Sequence, residues 1–352
     1  MDIIRVAING FGRIGRTFFK VAYERDDIEV VAINDLGDIE TLAYLLQYDT
    51  VYGRAPFSVE TREDDRGRFL VIDGREIPFH SEKNPKQLPW GEHAVDVAVE
   101  STGVFTTYKE SRMHLKAGAK RVVVSAPVKD KPPKDVGGAT ALLGVNDDAL
   151  EQSIISSNAS CTTNAGSPLM AILNETIGVE KALLNTVHGY TSSQNLVDSP
   201  NDKTRRGRAA AENLVPSSTG SAIATTKAIT ELDGKFDGVA VRVPVPAGSL
   251  VDITFLASRD TDAEEVNAIL KDAAAQDRWQ GVFTTTEDPV VSSDIVGERF
   301  ASIADLAFTR VVDGNLVKVM SWYDNEMGYT HTLAEHVSRT GTYIKRYERG
   351  DA

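Results

Sequence analysis

The stretch Asn9-Gly10-Phe11-Gly12-Arg13-Ile14-Gly15 decides how the first part of the chain folds. It carries the spacing G-x-G-x-x-G. Residues 3–8 before it form an apolar run of strand length, and after it Ile14, Phe18, Val21 and Ala22 recur at helical spacing. At such a strand-to-helix junction Gly10 permits a tight turn, Gly12 lets backbone approach a pyrophosphate, and Gly15 lets helix and strand pack closely. The helix N-terminus then turns its N–H groups toward phosphate. A second strand, residues 28–33, leads to Asp35, which stands 20 residues beyond Gly15, the spacing of a ribose-binding acid. A glycine-rich turn without a ligand is the plainer reading, but strand, helix and acid together favour a dinucleotide. A carboxylate at Asp35 accepts from the 2′-hydroxyl of NAD and repels the 2′-phosphate of NADP, and no arginine adjoins it. NAD is the expected cofactor.

Working outward, a helix is expected around residues 41–46, strands at 95–99 and 121–124, and a helix at 108–116 closed by Gly118. This alternation reads as a Rossmann-like, doubly wound parallel sheet. The polar stretch from about Phe57 to Gly91 leaves strands or loop open. From about residue 155 the strands lengthen and alternate: Val251, Ile253 and Phe255 fall on one face, and 239–245 and 316–322 look similar. Thr261 and Glu264 read as a capping box for a helix from about Asp262 to Ala275. The expected class is thus α/β, with a mixed-sheet α+β catalytic domain following the first. The boundaries are 1–157, completed by 331–352, and 158–330. Residues 191–208 show no periodicity and are expected to be a functional loop.

The 352 residues suit two domains, and the net charge of −13 disfavours nucleic acid and anionic membrane as partners. No apolar run is long enough to span a bilayer, and the N-terminus lacks the pattern of a secretory signal. A cytoplasmic setting is expected. An anionic substrate would need basic residues gathered locally against the global charge.

The single cysteine, Cys161, lies in Ser156-Ser157-Asn158-Ala159-Ser160-Cys161-Thr162-Thr163-Asn164. A lone cysteine is usually a small buried apolar residue. Here an apolar strand precedes it, helical spacing follows it, and its neighbours are polar. That places it at a helix N-terminus, which favours thiolate. A nucleophilic thiol needs a base. His80, His93 and His114 fall on polar segments and are expected at the surface, and His331 and His336 lie near the C-terminus. His188 closes a strand in the same domain as Cys161; on position alone it is as well read as a structural histidine. Arg205, Arg206 and Arg208 crowd the long loop, and Arg242 interrupts an apolar strand. These read either as a solvated face or inter-subunit ion pair, or as an anion site.

NGFGRIGR, SNASCTTN, TVHGYT, RRGRAA, VPSSTGSA, RVPVPAGS and WYDNEMGY, in this order along essentially the whole chain, resemble the phosphorylating glyceraldehyde-3-phosphate dehydrogenases of bacterial and eukaryotic type. SNASCTTN and WYDNEMGY are the most specific. The resemblance implies that Cys161 attacks an aldehyde, with His188 as base, and that hydride passes to NAD to leave a thioester, which inorganic phosphate opens to an acyl phosphate. It implies that Thr191 and Arg242 hold the C3 phosphate of glyceraldehyde 3-phosphate, and that Ser160, Thr162, Arg206, Thr219 and Gly220 hold the attacking phosphate. Gly10, Gly12, Arg13, Ile14, Gly15, Asp35, Lys83, Ser125, Asn325 and Tyr329 would contact or frame the cofactor. A homotetramer is implied, and no metal.

Three positions depart from the family's usual pattern. Ala165 stands where a second cysteine is common, which implies lower sensitivity to oxidation for want of a resolving thiol. Lys83 replaces a frequent arginine near the adenine. Ser199-Pro200 is intermediate between NAD-specific and dual-cofactor relatives, so weaker NADP use is expected beside NAD. Erythrose-4-phosphate dehydrogenase is the alternative within the enzyme class, although the loop sequence sits closer to the glyceraldehyde phosphate enzymes. A cysteine acyl-transferase or hydrolase would not need the Gly10–Asp35 unit. A catalytically silent nucleotide-binding protein would have no reason to keep Cys161, His188, Thr191, Arg242 and Asn325 together.

Overall fold

Strand Ile4–Asn9 runs through a nine-stranded sheet, pairing parallel with Ile28–Asn34 on one side and with Val97–Glu100 on the other. Beyond Val97–Glu100 come Arg121–Val124, Ile155–Ser157 and Gly138–Thr140, all parallel. Parallel strands buried on both faces need continuous apolar runs, and Val97–Glu100 and Arg121–Val124 are buried at every residue. The stretch left open between Phe57 and Gly91 forms three strands, Val59–Asp64, Gly67–Ile72 and Arg75–His80. Each runs antiparallel to the next, and the last joins the sheet beside Ile28–Asn34. The chain leaves Ile4–Asn9 toward one edge and later returns to its other flank. Such a reversal of strand order opens a crevice at the carboxyl ends of the two strands.

These strands belong to one of two compact units in the computed structural model, which describes residues 2–350. The first unit comprises Met1–Ala141, Asp148–Ala159 and Leu333–Ala352; the second comprises Leu142–Asp147 and Ser160–Thr332.

In the second unit an eight-stranded mixed sheet runs Val215–Ser218, Phe236–Val243, Val179–Gly189, Ser249–Ala257, Leu316–Tyr323, Ser302–Asp305, Phe283–Thr286, with Arg310–Val312 added beside Leu316–Tyr323. Alternate residues of Ser249–Ala257 are buried, as the period of two requires, and Val251, Ile253 and Phe255 join the core with Leu169, Leu173 and Leu270 from the helices. The opposite face leaves Leu183, Val239 and Leu316 exposed. Helix Ala263–Ala274 is capped by Asp262, whose carboxylate accepts the N–H of Glu265, and not by Thr261 as the capping-box pattern suggested. Aspartate and threonine are both strong caps, and the one nearer the first turn takes the role. Thr261 instead donates to the Glu265 carboxylate (2.6 Å).

The long helix Met327–Arg349 returns residues from Leu333 onward to the first unit. There the buried His336 ring donates from Nδ1 to Asn158 Oδ1 (3.1 Å) and accepts at Nε2 from Ser156 Oγ (2.7 Å). Burial pushes His336 down to about 3. Unfolded, it titrates near about 6.5. Between those values the unfolded chain holds a proton that the folded chain refuses. Stability is therefore full above pH about 6.5 and falls as pH drops toward about 3. The lowered carboxylates Asp27, Asp49 and Asp96 contribute only below the ordinary aspartate value of 3.8. The expected result is a urea midpoint, followed by tryptophan fluorescence, that declines from pH 7 to pH about 4.5 and declines less steeply in His336→Gln.

Candidate active site

In the first unit the crevice is built of backbone. Gly10 has φ +98°, and a Cβ there would stand 2.6 Å from Thr102 N; a Cβ on Gly15 would stand 2.0 Å from the Gly10 carbonyl. Both glycines are required by close approach. At Gly12, by contrast, nothing lies within 4 Å of a Cβ position. No side chain caps helix Arg13–Tyr23 there, and its first turn carries no acid. Asp35 accepts from Phe11 N (2.6 Å) and Gly37 N (2.7 Å), which ties the acid to the glycine loop. An open backbone cradle, an uncapped helix end and an anchored carboxylate fit a dinucleotide. Arg13 turns its guanidinium to Asp49 (2.9 Å), and Ile14 occupies the helix's first turn. Lys83 is exposed, and Ser125 N donates to Glu100 O (2.9 Å).

A polar network missed in the sequence underlies this loop. His114, expected at the surface, is fully buried. Trp90 Nε1 can only donate, so His114 Nδ1 accepts (3.0 Å) and its Nε2–H donates to Glu100 (3.0 Å). The same Glu100 oxygen accepts from Asn9 Nδ2 (2.5 Å), and Asn9 Oδ1 accepts from Asn34 Nδ2 (2.7 Å). The helix Tyr108–Lys116 looked polar because its buried histidine finds polar partners on other elements. His80 and His93 are half-buried with their Nε2 atoms 3.0 Å apart, and burial pushes His80 down to about 4.

In the second unit Cys161 is the first residue of the 16-residue helix Cys161–Thr176, capped by Ser160, whose Oγ accepts the Thr163 N–H (3.2 Å). Just before it Ala159 holds φ +53°, a left-handed turn between strand and helix. His188 comes from strand Val179–Gly189, and its Nε2 lies 3.4 Å from Cys161 Sγ. Its Nδ1 is 2.7 Å from Gly189 O, and this edge of the ring is turned away from the sulfur, which Nε2 faces. Arg242 Nη1 reaches the same carbonyl (3.1 Å) and lies 2.7 Å from Nδ1. Burial, then this cation, pushes His188 down to about 3, so the ring is neutral. Burial pushes the Cys161 thiol up, while Arg242 and the groups of Thr162 pull it down. Tyr323, buried beneath, bonds both Thr162 Oγ1 (2.9 Å) and Thr186 Oγ1 (2.8 Å), joining the helix of Cys161 to the strand of His188.

Around this pair lie two sets of linked polar side chains. Arg206 donates to Ser217 (2.9 Å) and Ser193 (3.0 Å), and Ser193 bonds Thr191 (2.8 Å). A hydroxyl chain runs Thr219–Ser221–Ser160, at 2.8 and 3.2 Å, past Gly220. Thr162 turns its hydroxyl to Tyr323, leaving its backbone N–H as the group it can offer an anion. Neither Arg206 nor Arg242 has a carboxylate partner among the described residues. The loop of residues 191–208 that carries Arg206 is pinned by backbone bonds from Asn195 N to Arg206 O and from Ser199 N to Gly207 O, each 2.9 Å. Asn325 and Tyr329 are buried in this unit. Ser221, Ser249 and Tyr323 were invisible to sequence reading, since only their long-range partners reveal them.

Residues 4–108 match the family described as "Glyceraldehyde 3-phosphate dehydrogenase, NAD binding domain", and residues 160–325 match its "C-terminal domain". The chain is 46% identical over 335 residues to "Glyceraldehyde-3-phosphate dehydrogenase 2" of Streptomyces avermitilis, covering 94% of this chain and 97% of that one. It is 45% identical over 334 residues to "Glyceraldehyde-3-phosphate dehydrogenase" of Geobacillus stearothermophilus, covering 94% and 96%. The protein of the same name from Mycolicibacterium smegmatis is 46% identical over 346 residues, covering 96% and 98%. With both domains matched and nearly the full length aligned, the chain belongs to the glyceraldehyde-3-phosphate dehydrogenase family.

Proposed function

We propose that this protein is the NAD-dependent, phosphorylating dehydrogenase that converts glyceraldehyde 3-phosphate to 1,3-bisphosphoglycerate, a step of glycolysis and gluconeogenesis. The observation that carries this reading is the Cys161–His188 pair set beside two guanidiniums that lack carboxylates. In a chain of net charge −13, unpaired cations beside a nucleophile call for an anionic substrate.

Residues 1–157 with 331–352 would form the NAD-binding domain, and 158–330 the catalytic domain, which adds Asn325 and Tyr329 to the cofactor's contacts. Gly10, Gly12, Arg13, Ile14, Gly15, Asp35, Lys83, Ser125, Asn325 and Tyr329 would hold NAD. Asp35 disfavours the 2′-phosphate and leaves NADP the weaker substrate. When bound, the cofactor supplies the acceptor for the hydride.

Cys161 Sγ adds to the aldehyde carbon, and its proton passes through His188 Nε2 to the new oxyanion, giving a hemithioacetal. His188 then removes the hydroxyl proton as the carbon loses hydride, and a thioester remains on Sγ. Phosphate, held by Ser160, Thr162, Arg206, Thr219 and Gly220, attacks the acyl carbon; the C–S bond breaks and sulfur leaves as thiolate. Arg242 and Thr191 take the C3 phosphate. That phosphate offsets the Arg242 charge, which after burial is the second influence keeping the His188 ring neutral. Substrate binding thereby raises the basicity of His188.

Two further features fit this reading. Exposed Leu183, Ile223, Val239 and Leu316 supply an apolar surface suited to a homotetramer, for which sedimentation equilibrium should give four times 38.2 kDa. The chemistry needs Cys161 reduced, which suits the cytoplasm.

NAD reduction with glyceraldehyde 3-phosphate is expected to require inorganic phosphate, to fall by more than about a thousandfold in Cys161→Ser, and to be poor with erythrose 4-phosphate. Steady reduction without phosphate would mean hydrolysis of the thioester and would sink the phosphorylating assignment. Arg242→Leu removes a cation that pulls the thiol down, so iodoacetamide should alkylate Cys161 roughly tenfold more slowly at pH 7, with the pH–rate curve displaced upward. An unchanged curve would show that Arg242 does not act on the sulfur.

A further inference from the structure

Ser249 begins strand Ser249–Ala257 and is buried, with a hydroxyl placed between two groups of the site. Gly189 N lies 3.1 Å from its Oγ, and Asn325 Oδ1 lies 2.8 Å away. A backbone N–H can only donate, so the hydroxyl accepts from Gly189 and sends its own proton to Asn325. This orients the Asn325 amide. Its oxygen is held by Ser249, and its nitrogen is left with two protons to give and no partner among the described residues. Gly189 also follows His188 in the chain, and its carbonyl oxygen lies 2.7 Å from the ring's Nδ1. The absence of a side chain at Gly189 matters too: a Cβ would stand 2.9 Å from Val245 O and 3.4 Å from Asn325 Oδ1. One residue thus touches the histidine through its carbonyl and the asparagine through its N–H and Ser249.

An amide nitrogen set this way is free to give to an acceptor on a ligand. Hydride leaves a carbon bonded to Cys161, so the nicotinamide is the end of the cofactor that must come to these residues, and its carboxamide carbonyl is an acceptor. We propose that Ser249 is a positioning residue that fixes the Asn325 amide as a donor to the nicotinamide carboxamide and ties that contact to the backbone orienting His188. The proposal rests on the reading of Asn325 as a cofactor residue.

The test is calorimetric titration of the full-length protein with NAD and with ADP-ribose, which lacks nicotinamide. Ser249→Ala should weaken NAD about three- to tenfold and leave ADP-ribose unchanged. Ser249→Thr, which keeps a hydroxyl, should restore most of the NAD affinity. Equal weakening of both ligands in Ser249→Ala, or of neither, overturns the proposal. Asn325→Asp keeps an oxygen for Ser249 but has no N–H to give, so it tests the orientation even if Ser249→Ala does not fold. It should lose the preference for NAD over ADP-ribose. If Asn325→Ala loses that preference and Asn325→Asp keeps it, the orientation is wrong and the proposal fails alone. If Asn325→Ala also keeps it, the cofactor role of Asn325 fails with it.

Discussion

Everything in the second unit serves a sulfur and a ring nitrogen held 3.4 Å apart by residues 27 positions distant in the chain. The contact is made between a helix and a strand, elements that would otherwise find their spacing from apolar packing alone. Tyr323 makes the spacing specific. Burial pushes its phenol up, so it keeps its proton and can give to one threonine while accepting from the other. On the far side of the ring, Gly189 O and Arg242 Nη1 flank Nδ1, and with that edge fixed Nε2 has one direction to face.

Electrostatics then divides labour between the site and the rest of the molecule. The acidic surface repels anions in general, whereas Arg206 and Arg242, with no carboxylate partner among the described residues, would attract those that reach Cys161. Burying an uncompensated guanidinium is unfavourable in the free protein. Arg242 shows this directly: burial is the largest influence pushing its own pKa down, and Arg206 pushes the same way. In the proposed function an arriving phosphate would supply the anion that these cations lack.

What could be read in the sequence was what is local. The glycines, the acid 20 residues on, and a cysteine between a strand and a helical repeat each announce themselves within a short window, because turn geometry and helix capping are short-range. The residues that could not be read act across the fold. Thr162 and Tyr323 are 161 positions apart, and Asn9 and Glu100 are 91. His114 misled for the same reason: a histidine in a polar helix looks solvated until Trp90 and Glu100 are known to flank it. Thr261 misled on a finer scale, because Asp262 beside it caps equally well and a pattern cannot choose between neighbours. Phe57 to Gly91 resisted because antiparallel strands with one wet face carry too few apolar residues to stand out.

Cys161 is the only thiol in 352 residues, with Ala165 one helical turn along. A reagent for sulfhydryl groups therefore has a single target on each chain, and that target is the proposed nucleophile. On that reading, any thiol stoichiometry measured on the folded protein would at once be a count of competent centres. A fluorophore or spin label attached through sulfur reports on the chemistry's own address, with no background to subtract.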